Sequence, residues 1–161
     1  MNTNSQSGIT TVEFAIVAVV LVTVIIAVID IGRLFYSVSA LNESTRRGAR
    51  VAAVCPVNDA AIAQMAVFNA SGNAGSSAIV GGLEPQHIDI EYLDTNGQPI
   101  ADPASSAGFE NIRYVRVSIN GGFQLQVFIP GLSQLISVPA FAATLPRESL
   151  GIPREGAVTP C

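Results

Sequence analysis

The sequence predicts an α+β protein, in which one long N-terminal helix precedes a small, mainly antiparallel β-sheet domain. The helix is predicted to be transmembrane in its first half and amphipathic in its second. Three observations indicate this fold. All nine prolines lie at or after Pro56, so nothing breaks a helix before that position. A run of uncharged, mostly apolar residues fills the first part of this segment, and stretches of alternating apolar and polar residues follow it.

The first half of the helix, residues 9–29, has the length and composition of a single membrane span. Fifteen uncharged residues separate Phe14 from Asp30. At 1.5 Å per residue, residues 9–29 extend about 31 Å, which matches the hydrocarbon core of a bilayer. We therefore predict the lipid bilayer as one partner. The net charge of −4 and the absence of lysine argue against nucleic acid as a partner.

The second half, residues 30–55, is predicted to be an amphipathic continuation of the helix. Glu43 is placed to pair with Arg46 or Arg47 on the polar face. Pro56 ends the helix. The opposite stripe recurs at spacings of three and four residues, at Leu34, Val38, Leu41, Thr45, Gly48 and Ala52.

Residues 56–161 are predicted to form a small α+β domain. Asn58 or Asp59 is expected to cap a short helix that continues to Asn69. Alternating apolar and polar residues predict four strands, at 88–92, 115–119, 123–129 and 140–145. The second and third of these strands are predicted to form a hairpin, because Asn120-Gly121-Gly122 turns the chain between them.

The two cysteines, Cys55 and Cys161, are open to two interpretations. If the domain lies outside the cytoplasm, where conditions are oxidising, they are a candidate disulfide pair. Closing a loop of that length would contribute about 4–5 kcal/mol in the chain-entropy model. Otherwise they are two free thiols. With one histidine and no CxxC motif, the sequence predicts no structural zinc site.

A second cluster of polar residues falls on one predicted strand. His87, Asp89 and Glu91 would share one face, with Asp94 nearby, and such groups can bind a divalent cation. A solvated strand face is the simpler interpretation. The sequence has no GxSxG motif, no phosphate-binding glycine loop and no second histidine. We therefore expect no enzymatic activity, no bound metal and no cofactor.

Glu13 is the most informative residue of the N-terminal segment. A charged side chain in the hydrocarbon layer raises the free energy of insertion, by about 2.5–3.5 kcal/mol at the helix centre and by less near an interface. Such a residue is expected to have a partner. If the chain is cut between Gly8 and Ile9, the new α-amino group of Ile9 supplies it. Without such a cut, the segment is an ordinary membrane anchor with Glu13 among the lipid headgroups.

The segment Gly8–Phe14, followed by an uncharged helix, resembles the processing site of type IV pilins and pseudopilins. Three further segments, Asp30–Tyr36, Ala40–Asn42 and Arg46–Ala53, resemble the TadE-like family, which are pilin-like proteins of tight-adherence (Tad/Flp) pilus systems. Residues 141–148 are similar to the terminal strand of that family, though less distinctively.

The resemblance implies a minor pilin or pseudopilin that takes part in assembling such a pilus. A prepilin peptidase would cleave after Gly8, so that residues 1–8 are a leader peptide. Glu13, with Phe14 beside it, would supply the charge that pairs during assembly, and Gly32 and Gly48 would permit close helix approach. The implied partners are the prepilin peptidase, other pilin or pseudopilin subunits and the inner-membrane pilus assembly platform.

The resemblance also implies a single-pass protein of the bacterial inner membrane, with a cytoplasmic N-terminus and a periplasmic C-terminal domain. Incorporation into a surface pilus stays open. Residues 1–8 contain no basic residue and four arginines follow the span, so the positive-inside rule alone favours the opposite orientation. The same residues are also compatible with an unprocessed single-span anchor for a periplasmic binding domain, or with a secretory signal that is cleaved at Val38-Ser39-Ala40.

Overall fold

The computed structural model describes residues 7–120, 122–126, 135–137, 140–152, 158 and 160–161. The helices are α1 (Ser7–Val54), α2 (Ala60–Ala66) and α3 (Ser106–Asn111), with a 3₁₀ helix at Pro85–His87. The strands are β1 (Ile88–Leu93), β2 (Tyr114–Ile119), β3 (Gln124–Gln126), β4 (Leu135–Ser137) and β5 (Ala142–Pro146). The predicted fold class is confirmed, because a long N-terminal helix precedes a small antiparallel sheet.

The chain divides into two compact units. Among the described residues, the first unit contains residues 7–36, 125–126 and 135–136, and the second contains the others. Helix α1 contributes to both units. Its apolar part therefore belongs to the first unit, and its amphipathic part belongs to the unit that holds the three-stranded sheet.

In the second unit, α1 buries a face made mostly of small residues. The buried positions recur at helical spacing, at Leu41, Ser44, Thr45, Gly48, Ala49, Ala52 and Ala53. Gly48 marks the closest approach, since a Cβ there would lie 2.9 Å from Ala66 Cβ and 3.0 Å from Val117 Cγ1. Gly48 therefore does permit a close approach, and the neighbours that use it are α2 and β2 of its own chain rather than a helix of another subunit.

The three-stranded sheet supplies the other half of this core. Its order is β1-β2-β5, and both pairings are antiparallel. The register places Val117 between Ile90 and Ala143, so these three side chains share the face that packs on Gly48. Tyr92 and Val115 extend the same face and are buried. The opposite face of β1 carries Asp89 and Glu91.

The predicted hairpin between β2 and the segment after it is wrong. Both edges of β2 are occupied by β1 and β5, whereas β3 pairs with β4. Asn120 explains the difference, since its N–H donates to the His87 carbonyl at 2.9 Å and its side-chain amide donates to the Gln86 carbonyl at 3.0 Å. The chain leaving β2 is thus bonded to the residues just before β1. Residues 127–129 of the predicted strand lie outside the described residues.

The second helix begins at the predicted position and ends early. Asp59 is its N-cap, and its carboxylate accepts the Ala61 N–H at 2.9 Å. The helix stops at Ala66 rather than Asn69, and Phe68 has a positive φ of 67°, which a continuing helix excludes.

The C-terminal end of α1 is capped by a segment distant in sequence. A helix leaves its last carbonyls without partners in the helix. Here the carbonyls of Ala53 and Val54 accept four hydrogen bonds of 2.6–3.3 Å. The donors are the N–H groups of Glu148, Leu150 and Gly151 and the hydroxyl of Ser149. Gly151 has a φ of +79° and lies so close to Pro56 that a Cβ would be 2.5 Å from its Cγ. Only glycine fits there.

We expect the two glycines of α1 to respond oppositely to the same change. Gly48→Ala should lower the free energy of unfolding by about 1–2 kcal/mol, because overpacking against Ala66 and Val117 outweighs the gain in helix propensity. Gly32→Ala should be neutral or slightly stabilising, since nothing lies within 4 Å of its added Cβ. Chemical unfolding of the full chain in detergent measures both. Equal effects at both positions would contradict the close packing at Gly48.

Ser44 provides a second test of this core. Its hydroxyl is buried and, within the described part of the chain, has no hydrogen-bond partner. Ser44→Ala should therefore raise the free energy of unfolding by about 1 kcal/mol, because an unsatisfied buried hydroxyl is removed. Thr45→Ala is the matched control and should be destabilising, since the Thr45 hydroxyl donates to the Asn42 carbonyl at 2.9 Å. Destabilisation by both changes would show that Ser44 is satisfied.

Candidate functional site

The predicted cleavage site lies at the start of α1. The helix begins at Ser7, so the bond between Gly8 and Ile9 falls within its first turn. The first four N–H groups of a helix have no partner in the helix. The first turn can therefore unwind with the loss of fewer hydrogen bonds than an interior turn. Ile9 is 70% exposed. The structure thus leaves this bond at a helix end rather than inside a folded domain.

Glu13 lies one helical turn beyond Ile9. Residues four apart occupy the same face of a helix, and side chains lean toward the helix N-terminus. A carboxylate in this position points toward the end where N–H groups are unpaired and the helix dipole is positive. Glu13 is exposed, and none of the ion pairs between described residues involves it. Phe14 beside it is 74% exposed. The carboxylate is therefore placed to meet an amine at the position of Ile9.

The helix after Glu13 presents apolar side chains on all its sides. It is long and apolar enough to cross a membrane, and none of its most apolar window of 18 residues is buried. Valine, leucine and isoleucine side chains from Ile16 to Ile29 are half exposed or more at most positions. The Thr23 hydroxyl donates to the Val19 carbonyl at 2.8 Å, so its polar group is satisfied within the helix. A helix that is apolar all round is suited to lipid or to other helices.

A charged pair follows the apolar run. Asp30 is 9% exposed, and its carboxylate lies 3.7 Å from the guanidinium of Arg33 one turn later. Arg33 is exposed. The Asp30 carboxylate therefore has a cationic partner at the point where the apolar run ends.

The two cysteines meet where α1 ends. A disulfide joins Cys55 to Cys161, with 5.8 Å between their Cα atoms. The Cys161 N–H donates to the Asp59 carboxylate at 3.2 Å. Next to them, the Tyr92 hydroxyl accepts the Asn58 N–H at 3.2 Å, and burial of this residue raises the pKa of that hydroxyl. The last residue of the chain is thus fixed beside the end of the helix.

Several polar residues around β1 bond to neighbouring groups of the chain. The Nδ1 atom of His87 accepts the Glu84 N–H at 3.0 Å, and Glu91 lies 3.4 Å from a guanidinium nitrogen of Arg116. Asp94 accepts the N–H groups of Gln98 and Asn96, which hold the pKa of its carboxyl below its ordinary value. Among the described residues, no group of three or more histidine, cysteine or acidic side chains is arranged to hold a metal.

The capping segment at residues 148–151 is the part of this arrangement that sequence reasoning missed. Its donors are mostly backbone N–H groups, which any residue supplies. The only sequence signal was Gly151, whose need for glycine becomes evident once Pro56 is placed beside it.

We expect the disulfide to stabilise the fold. Replacing both cysteines, in Cys55→Ser with Cys161→Ser, should lower the free energy of unfolding by up to about 4–5 kcal/mol, the value for a loop of 106 residues in the chain-entropy model. Unfolding of the full chain in detergent measures this loss. Reduction of the unmodified chain should give the same loss, and an unchanged unfolding midpoint in both experiments would rule the contribution out.

Comparison with known proteins supports the interpretation of α1. Residues 8–50 match the family model described as TadE-like protein. This match confirms the resemblance over about a quarter of the chain, from the glycine of the predicted cleavage site into the buried face of α1. No curated protein and no solved structure matches this chain. The match points to Tad pilus systems.

Proposed function

We propose that this protein is a minor pilin or pseudopilin of a tight-adherence, type IV-like pilus, and that a prepilin peptidase processes it after Gly8. One observation supports this proposal most directly. The segment that matches the TadE-like family begins at Gly8, and within it an exposed carboxylate, Glu13, lies one turn from Ile9 at the mouth of an exposed apolar helix.

The first role of the helix is to anchor the subunit. Residues 9–29 cross the bacterial inner membrane once, with the N-terminus in the cytoplasm and the domain in the periplasm. The Cys55–Cys161 disulfide supports this orientation, because such bonds persist in oxidising compartments.

The second role of the helix is assembly. Cleavage after Gly8 creates a positive α-amino group on Ile9, and the Glu13 carboxylate of a neighbouring subunit pairs with it as helices pack together. In apolar surroundings an unpaired charge is costly, so the pair fixes the axial position of one helix on the next more than it adds stability. Other pilin subunits and the inner-membrane assembly platform are the partners in this step.

Processing is tested by the mature N-terminus. The full chain is expressed with a prepilin peptidase, and the protein is sequenced from the membrane fraction. We expect it to begin at Ile9, and we expect Gly8→Val to remain uncleaved because a branched side chain would crowd the peptidase at the cut. A mature protein that retains Met1 would contradict the proposal and would favour an unprocessed, single-span anchor for a periplasmic interaction domain.

The role of Glu13 is tested by Glu13→Ala. The variant should insert and be processed normally, because removing a charge makes the helix easier to insert, but it should not support pilus assembly. Electron microscopy of cells and immunoblots of membranes separate these two results. Glu43→Ala is the matched control, since Glu43 is an exposed carboxylate of the same helix, outside the apolar run. Normal piliation in the Glu13 variant would exclude this role.

A further inference from the structure

The amphipathic part of α1 displays a basic stripe on the side that faces away from the sheet. Arg46, Arg47 and Arg50 are exposed, and we call these three residues the basic stripe. Glu43 lies on the same side, yet among the described residues no ion pair joins it to Arg46 or Arg47, so the predicted pairing is wrong. Arg47 lies 5.7 Å above the Phe68 ring, which holds its guanidinium in place. Arg46 and Arg50 have no ion-pair partner within the described chain.

Strand β1 carries the opposite charge. We call Glu84, Asp89, Glu91 and Asp94, which lie along and beside this strand, the acidic row. Asp89 and Glu91 lie on the face of the sheet turned away from α1, because Ile90 and Tyr92 on the other face pack inward. Arg116 pairs with Glu91, and Asp89 is exposed opposite Ser118. The row therefore keeps a net negative charge.

The two charged surfaces lie on opposite sides of one two-layer unit. Helix α1 forms one layer and the β1-β2-β5 sheet forms the other, in contact through Gly48 and Val117. The basic stripe faces outward from the helix layer, and Asp89 faces outward from the sheet layer. A single copy cannot bring these two surfaces together. A second copy in the same orientation can.

We propose that the domains of successive copies of this chain bind front to back, with the basic stripe of one copy against the acidic row of the next. Such a contact joins two different surfaces, so each copy keeps one of each free and the contact repeats. Charge complementarity specifies the orientation, because front-to-front or back-to-back packing would set like charges against each other. The contact does not require cleavage after Gly8 and goes beyond the proposed role of Glu13.

Charge reversal tests this contact on the uncleaved full chain in a neutral detergent. Arg50→Glu and Asp89→Arg should each weaken self-association at least about tenfold, since either change places like charges opposite each other. A mixture of the two variants should associate again, because each new charge then faces an opposite one. The double variant should associate on its own for the same reason. Sedimentation at low and high salt measures the association, which should weaken as salt rises.

Matched controls separate this contact from other effects of charge. Glu110→Arg and Asp102→Arg reverse exposed residues on and before α3, outside the two surfaces, and should leave self-association unchanged. The apolar part of α1 is the same in every variant, so any self-association of that part in detergent contributes equally to all the measurements. Self-association that is unchanged in both Arg50→Glu and Asp89→Arg would overturn the proposal. So would loss with Arg50→Glu alone without recovery in the mixture, and so would binding of the stripe to anionic lipid vesicles in place of a second copy.

Discussion

The structure depends on how α1 is held at its C-terminal end. Pro56 ends this helix of 48 residues, and its last carbonyls then need hydrogen-bond donors from elsewhere in the chain. Four hydrogen bonds from residues 148–151 satisfy the carbonyls of Ala53 and Val54, and the Cys55–Cys161 bond ties the chain end to the same place. The sheet can therefore pack against the buried face of α1, and small residues such as Gly48 and Ala52 let it come close.

This arrangement divides one helix between two environments. From residue 37 onward, α1 is amphipathic and belongs to a folded unit with the sheet. Before that point, its apolar side chains are exposed and are suited to lipid. Glu13 is the charged residue of residues 9–29, and its position one turn after Ile9 would let it pair with the amine that the proposed cleavage after Gly8 creates. In the proposed function, anchoring and assembly use this same surface in sequence.

Much of this could be predicted from the sequence, because local patterns encode it. Proline placement and residue spacing predicted the long helix, its buried stripe at Leu41, Thr45 and Ala52, and the strands β1, β2 and β5. The pairing of strands could not be predicted in the same way. The turn residues around Asn120 favoured a local hairpin, whereas β2 pairs with the distant β5 and Asn120 bonds to the residues before β1. The cap of α1 comes from residues distant in sequence and uses mostly backbone donors, so no residue type in the sequence predicts it.

The central claim is that the amine of Ile9 pairs with Glu13 of a neighbouring subunit. The sequence contains no lysine, so no lysine side chain within it competes with the amine of Ile9. A hydrophobic carbodiimide joins a carboxylate directly to an adjacent amine, and mass spectrometry of treated pili locates the new bond. Our account predicts an amide between Ile9 of one subunit and Glu13 of another. Pili in which the Ile9 amine stays free, or in which it joins a different carboxylate, would contradict it.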